Sequence, residues 1–236
     1  MDTQAGDSIG DRLRLVDERI RRAAQAAGRP EGSVRLVAAT KTVSVERLRE
    51  AIAAGLTLAG ENRLQEALPK IEALRGAPVR WHFIGQLQRR KVRAVVGLFD
   101  LIHSVDSLDL AQEIDKRAEA AGLRQEILLE VNIGGEATKA GFEVEQVERV
   151  LPQLGVLKHV AVKGLMVIPP PVSDAEAARP YFRRLRELAV KLTGLGIAGI
   201  AMGELSMGMS NDYPVAIEEG ATLVRVGTAI FGARDA

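Results

Sequence analysis

The feature that most constrains this chain is an alternation of short apolar strands and helix-patterned segments, repeated from about residue 34 almost to the end. Val34–Thr40 reads as a buried strand stopping at Lys41-Thr42. A helix follows over about 45–54, with Leu48 and Ile52 inward and Gly55 closing it. Thr57–Ala59 is a short strand that ends at Gly60-Glu61-Asn62 and leads into a helix through Leu64, Leu68 and Ile71. Further strands read at Arg80–Ile84, Phe99–His103, Glu126–Asn132, Val160–Ile168 and Ile200–Ser206, and the last runs through Leu223, Val224 and Val226. Between them lie a basic helix through Lys91–Val96, helices at Leu108–Ala120 and up to about Leu154, and two more at Pro180–Leu192 and Asn211–Glu219. Ser173–Glu176, after three prolines, has the spacing of a capping box. A leading helix, Ile9–Ala27, carries Leu13, Val16, Ile20 and Ala24 and is ended by Gly28-Arg29-Pro30.

Strand–helix alternation argues for parallel strands joined by crossovers, and eight such units argue for closure. No linker or change of composition divides them. The expectation is an α/β fold, a single (β/α)8 TIM barrel spanning residues 1–236 with an extra N-terminal helix. A doubly wound open sheet is the alternative, but no Gly-x-Gly-x-x-Gly follows the first strand. At 236 residues and 47% hydrophobic composition the chain can bury such a core. Its 32 basic and 31 acidic residues nearly cancel, which points away from nucleic-acid and membrane-surface partners. There is no cysteine, so disulfides and thiolate chemistry are excluded. No apolar run approaches the roughly 18 residues of a membrane span, and the polar N-terminus is not a signal peptide. A soluble cytoplasmic protein is expected.

In such a barrel the site lies at the C-terminal ends of the strands. The residues there are Lys41, Gly60-Glu61-Asn62, His82, Asn132, Met166, the Ser206–Ser210 loop with Met209, and Arg225, Gly227 and Thr228. Lys41 ends a mostly apolar strand, so a partly desolvated amine is expected, a candidate nucleophile for a carbonyl. The competing reading is a lysine snorkelling to water. Arg225 sits in a buried strand and needs a partner or a ligand. An ion pair with Glu61 or Glu204 is the structural alternative. Gly227-Thr228 offers N–H groups and a hydroxyl where a helix begins, a ready anion site. Ser210 either caps the following helix or shares that anion. Strands one and eight are neighbours in a closed barrel, so amine and anion cradle together suit an aldehyde-bearing phosphate ester. His82, between Trp81 and Phe83, reads as a hydrogen-bonded core histidine. His103 and His159 lack metal-ligand spacing. The Arg89–Arg93 run reads as solvated surface, and Lys139 as solvent-facing near the mouth.

Six motifs in order then carry a resemblance: Ala39-Thr-Lys-Thr42, Gly60-Glu-Asn-Arg-Leu-Gln-Glu66, Trp81-His-Phe-Ile-Gly-Gln-Leu-Gln88, Gly164-Leu-Met166, Ser206-Met-Gly-Met-Ser-Asn-Asp212 and Val224-Arg-Val-Gly-Thr-Ala-Ile-Phe-Gly232. Together they resemble the pyridoxal-phosphate homeostasis proteins, single-domain relatives of the alanine racemase amino-terminal barrel, over about residues 9–234. The resemblance implies pyridoxal 5′-phosphate held as an internal aldimine on Lys41. It implies a phosphate bound through Ser210, Gly227 and Thr228, Asn62 lining the site, and Arg225 facing the pyridine nitrogen. An arginine there leaves that nitrogen unprotonated and weakens the cofactor as an electron sink. One departure stands out. Family members often carry a second lysine shortly after the first, where this chain has Val43.

Two functions follow. One is a non-catalytic carrier or buffer of pyridoxal phosphate, acting in its homeostasis, monomeric and handing cofactor to apo PLP-dependent enzymes. The other is an amino-acid racemase or decarboxylase. A racemase needs a second acid–base group opposite Lys41, which related barrels take from an additional domain. This chain offers Tyr181, on an outer helix, and Tyr213. A phosphosugar isomerase on the same fold is disfavoured, because the chain lacks the glutamate and histidine placements such chemistry would want. The carrier is the expected function.

Overall fold

The computed structural model describes residues 8–136 and 139–232. Eight parallel strands pair in chain order, and the last pairs with the first to close a barrel. They are β1 Arg35–Ala39, β2 Leu58–Glu61, β3 Arg80–Phe83, β4 Leu101–Val105, β5 Gln125–Glu130, β6 Val160–Met166, β7 Ile200–Ser206 and β8 Leu223–Val226. The helices are α1 Ile9–Ala26, α2 Val45–Ala53, α3 Leu64–Ala73, α4 Val92–Val95, α5 Leu108–Ala120, α6 Val144–Gly155, α7 Arg179–Thr193, α8 Tyr213–Glu218 and α9 Thr228–Phe231.

Two cores follow from the strand period of two. Val37, Leu58, Ile84, Leu101, Leu128, Met166 and Leu223 fill the barrel interior. Their chain neighbours, among them Ala38, Ala59, Ile102, Ile127, Leu129 and Val224, face the surrounding helices. The leading helix α1 buries Ile9, Leu13, Val16 and Ile20 against that outer layer, at roughly 1.5–3 kcal/mol per side chain. Its N-terminus is closed by a capping box between Ser8 and Asp11. Gly164 lets β6 and β7 approach closely, since a Cβ there would stand 1.8 Å from the Glu204 carbonyl oxygen.

The closed barrel and its leading helix match the sequence reading, and the open sheet is ruled out. Several local expectations are corrected. The fourth strand starts at Leu101 rather than Phe99, because Phe99 turns out to stack edge-on against Phe83 at 5.2 Å. The basic segment is a 3-10 turn over Arg89–Lys91 before the single turn of α4. Ser173 forms no capping box; Asp174 instead caps a 3-10 turn by accepting from the Glu176 N–H at 3.1 Å. Leu68 points outward, 46% exposed. The helix expected from Asn211 begins at Tyr213, with Asp212 in the N-cap position.

Candidate functional site

The interior residues set a parity that runs on to the barrel mouth. Val37 leads to Ala39 and Lys41, Leu58 to Gly60 and Asn62, Leu101 to His103, Leu128 to Glu130, and Leu223 to Arg225 and Gly227. One face of the sheet therefore carries apolar packing below and polar groups above.

At the mouth a cavity of about 860 Å³ is lined by Lys41, Val43, Met209, Ser210, Arg225, Gly227 and Thr228 among others. Asn62 and Met166 line an adjoining cavity of about 350 Å³, and Lys139 and Ile168 border both. His82 and Ser206 line neither; they lie behind Arg225, 1% and 0% exposed. A larger cavity of about 1020 Å³ opens at the start of β1, lined by α1 residues, and gathers none of the candidate residues.

Lys41 is exposed at the mouth rather than partly desolvated as expected. The turn after it is tight. Thr42 adopts φ 63°, a left-handed conformation that costs a non-glycine residue roughly 1–2 kcal/mol. Its hydroxyl donates to the Lys41 carbonyl at 2.6 Å, and its N–H donates to Glu66 Oε2 at 3.2 Å. Behind the turn lies a buried ion pair. Lys70 Nζ donates to Glu61 Oε1 at 2.8 Å and to the Thr40 carbonyl at 2.7 Å, and the Thr40 hydroxyl donates to the same carboxylate oxygen at 2.6 Å. These bonds pin the end of β1 to β2 and α3, and so fix the backbone from which Lys41 extends.

Ser210 does not cap the helix that follows it, α8, whose N-cap is Asp212. The Ser210 Oγ accepts from the N–H groups of Gly227 at 3.3 Å and Ala229 at 3.4 Å. Asp212 Oδ1 accepts from the Met209 N–H at 2.6 Å and shapes the loop. An oxygen that collects two backbone donors beside a cavity marks a place where an anionic oxygen would be welcome. Gly227 keeps this approach open: a Cβ would stand 3.1 Å from the Ala39 carbonyl oxygen, tighter than ordinary contact.

Arg225 makes neither expected ion pair. Glu61 is taken by Lys70, and Glu204 by Arg35 at 2.6 Å. Arg225 is 5% exposed; its Nη1 donates to Ser206 Oγ at 2.5 Å and its Nη2 to the Val167 carbonyl at 2.8 Å. Burial lowers its pKa to about 10, opposed by the charges of Glu130 and Asp212, so it stays a cation near neutrality. His82 and His103 continue the chain of contacts inward, and burial pushes both well below the usual imidazole range, His82 to about 4.

The adjoining cavity holds two unmatched acceptors. Asn62 Oδ1 is buried without a partner. Glu130, 9% exposed, accepts no side-chain hydrogen bond among the described residues, and burial with the nearby Asp106 charge raises it to about 7. Lys139 is half-buried and paired with Glu136 at 2.5 Å, not turned out to solvent.

The exposed amine, the N–H groups on Ser210, the buried cation Arg225 and the orphaned Asn62 oxygen fit a small ligand carrying an aldehyde, a phosphate and a ring acceptor. Glu130, Lys70 and the His103–Ser206 contact were not singled out from the sequence. Parity with Leu128 and Leu101 would have placed Glu130 and His103 on the interior face; nothing local marks Lys70.

The alanine racemase N-terminal domain model matches residues 12–235. The chain is 49% identical over 224 residues to the pyridoxal phosphate homeostasis protein of Aquifex aeolicus, covering 95% of this chain and 97% of that protein. It is 43% identical over 228 residues to the protein of the same name from Pseudomonas aeruginosa, covering 97% and 96%. Among solved structures it is similar to PipY of Synechococcus elongatus with PLP bound, at TM-score 0.80 and 39% identity, covering 92% of this chain and 100% of that one.

Proposed function

The chain belongs to the pyridoxal phosphate homeostasis protein family, and from that premise we propose that it binds pyridoxal 5′-phosphate at the barrel mouth as a Schiff base on Lys41. It then serves as an intracellular carrier or buffer of the cofactor without robust catalysis of its own. The observation that carries this reading is the gathering of Lys41, Arg225, Ser210, Gly227 and Thr228 around one cavity.

Bound pyridoxal phosphate supplies an aldehyde that condenses with a lysine amine, losing water. Ser210, Gly227 and Thr228 would hold the phosphate, with Met209 lining the same cavity. Asn62 and Met166 would border the ring, and Arg225 would donate to the ring nitrogen. His82 and Ser206 act from behind Arg225. A ring nitrogen facing an arginine would stay unprotonated, so the bound ring would withdraw electrons weakly and the site would favour custody over carbanion chemistry. Tyr213, a candidate second acid–base group, is 2% exposed on α8 and does not line the cavity, which supports the same reading. No helix among the described residues is long and apolar enough to cross a membrane. The proposal includes a cytoplasmic, monomeric, single-domain protein whose recipients are apo PLP-dependent enzymes.

One observation favours a second reading, an amino-acid racemase or decarboxylase. Glu130 borders the mouth, and burial raises its pKa to about 7, where an acid–base group would need it. Absorption spectroscopy tests the binding: the purified protein should show a Schiff-base band that borohydride fixes to a peptide containing Lys41, lost in Lys41→Ala. Racemisation assays across the amino acids test the role. Turnover that depends on Lys41 and on Glu130 or Tyr213 would sink the carrier.

A further inference from the structure

We propose that His103, with His82 behind it, is a positioning residue for Arg225: through Ser206 the two histidines hold the guanidinium as a one-way donor and fix which edge of it meets a ligand in the mouth. The ligand's identity rests on the reading above; the relay itself does not.

The direction of the relay follows from its donors. A guanidinium can only donate, so Ser206 Oγ must accept from Arg225 Nη1 at 2.5 Å. Ser206 is completely buried, and the acceptor in reach of its own proton among the described residues is His103 Nδ1 at 2.9 Å. If His103 donated instead, Ser206 would accept twice and its proton would be stranded, a costly outcome in a dry interior. His103 Nδ1 is therefore bare, and its proton sits on Nε2. That N–H points to His82 Nδ1 at 3.0 Å, so His82 also carries its proton on Nε2. The rings stand 5.1 Å apart, tilted by 51°.

A protonated His103 would break this order, because Nδ1 would then compete with Arg225 for the serine oxygen. The surroundings oppose protonation. Burial disfavours a charged His103 most, and the charges of His82, Arg225 and Arg35 act in the same sense; for His82 burial again leads, with Arg80 and Arg35 adding to it and the Asp100 carboxylate opposing. Glu130 and Asp212 bear on Arg225 itself, but neither bonds to it. The relay thus does for Arg225 what a carboxylate partner would otherwise do. It fixes the side chain without neutralising it. The Val167 carbonyl, 2.8 Å from Nη2, holds the second point. A fully apolar filling, as Leu58, Leu101 and Leu223 provide lower in the barrel, would leave the guanidinium free to swing.

The test begins on the ligand-free protein labelled with ¹⁵N-histidine. Both rings should appear as neutral Nε2–H tautomers from pH 5 to 8, and Ser206→Ala should shift the His103 Nδ1 resonance towards that of an unbonded ring nitrogen. Titration with pyridoxal phosphate then compares variants. His103→Leu and Ser206→Ala should weaken binding about tenfold, while His103→Gln and Ser206→Thr, which keep an acceptor and a donor in line, stay within about twofold of the parent. An Nδ1–H tautomer, or a charged imidazole at pH 6, overturns the relay. So does parental affinity in a folded His103→Leu. If His103→Leu does not fold, equal losses in Ser206→Ala and Ser206→Thr overturn it instead. If the parent protein takes up no cofactor, the binding reading fails while the tautomers still decide the relay.

Discussion

Val37 and Arg225 stand opposite each other across the seam where β8 pairs with β1. Lys41 and Ala229 lie equally far along the chain beyond that pair. Barrel closure alone therefore brings a nucleophilic amine beside the backbone donors gathered on Ser210. An open sheet with the same strands would leave the two at opposite edges.

If those donors hold a phosphate, the loss in Ser210→Ala should depend on the phosphate being present. Pyridoxal phosphate should bind about tenfold more weakly, and pyridoxal, which lacks the phosphate, should bind as it does to the parent. Absorbance titrations with both compounds check this. Equal losses for both would place Ser210 elsewhere.

The Glu61–Lys70 pair is nearly inaccessible, with side chains 0% and 8% exposed. Lys70→Met leaves the Glu61 carboxylate buried without its cation and should cost about 3–5 kcal/mol of stability. The double variant Glu61→Leu/Lys70→Met should recover most of that loss. Denaturant unfolding of both single variants and the double closes the cycle. Additive losses would contradict a coupled pair.

Glu130 gives the ligand-free protein a pH signature. Its pKa rises from 4.5 to about 7 on folding. Below about pH 4.5 both states hold the proton, and there is no penalty. Between 4.5 and 7 only the folded state holds it, so stability falls as pH rises. Above 7 the full penalty applies, on the order of 3 kcal/mol. Glu130→Gln should gain on the parent as pH rises from 4.5 to 8. A stability difference independent of pH would refute this.

Gly85 lies directly under Asn62. A Cβ there would stand 2.2 Å from the Asn62 carbonyl oxygen, against backbone that cannot swing aside. Gly85→Ala should therefore lower the melting temperature and weaken pyridoxal phosphate binding together. Asn62→Ala should weaken binding with little effect on melting. Calorimetry on both variants separates backbone displacement from loss of the side chain.

The number of strands, their order and most of the mouth residues were legible in the chain. Met166 and Ser206 end their strands, Asn62 and Lys41 follow theirs by one and two residues, and the barrel rule sends attention to such ends; of the four, Ser206 alone lies behind the cavities rather than on them. Lys41 is as exposed as the snorkelling reading has it, so its place on the mouth cavity follows from its position after the strand and not from burial. The boundary shift at Phe99 was not readable, because it depends on an aromatic partner on another strand. Ser210 shows the same limit. Its pattern permitted a helix cap, and only the approach of β8 gave its oxygen different donors.

By itself the sequence determined the eightfold alternation, the parity of each strand and the list of polar groups that parity sends inward. Those properties depend on neighbours a few residues apart, where period and propensity act. Tertiary structure alone decided which charge answers which. Glu61 went to Lys70 and Glu204 to Arg35, leaving Arg225 with a serine and a carbonyl. Several acidic residues have the right charge for Arg225. Only closure of the barrel places some of them within 4 Å of other cations, and Coulomb attraction and hydrogen-bond geometry at that distance select the partner.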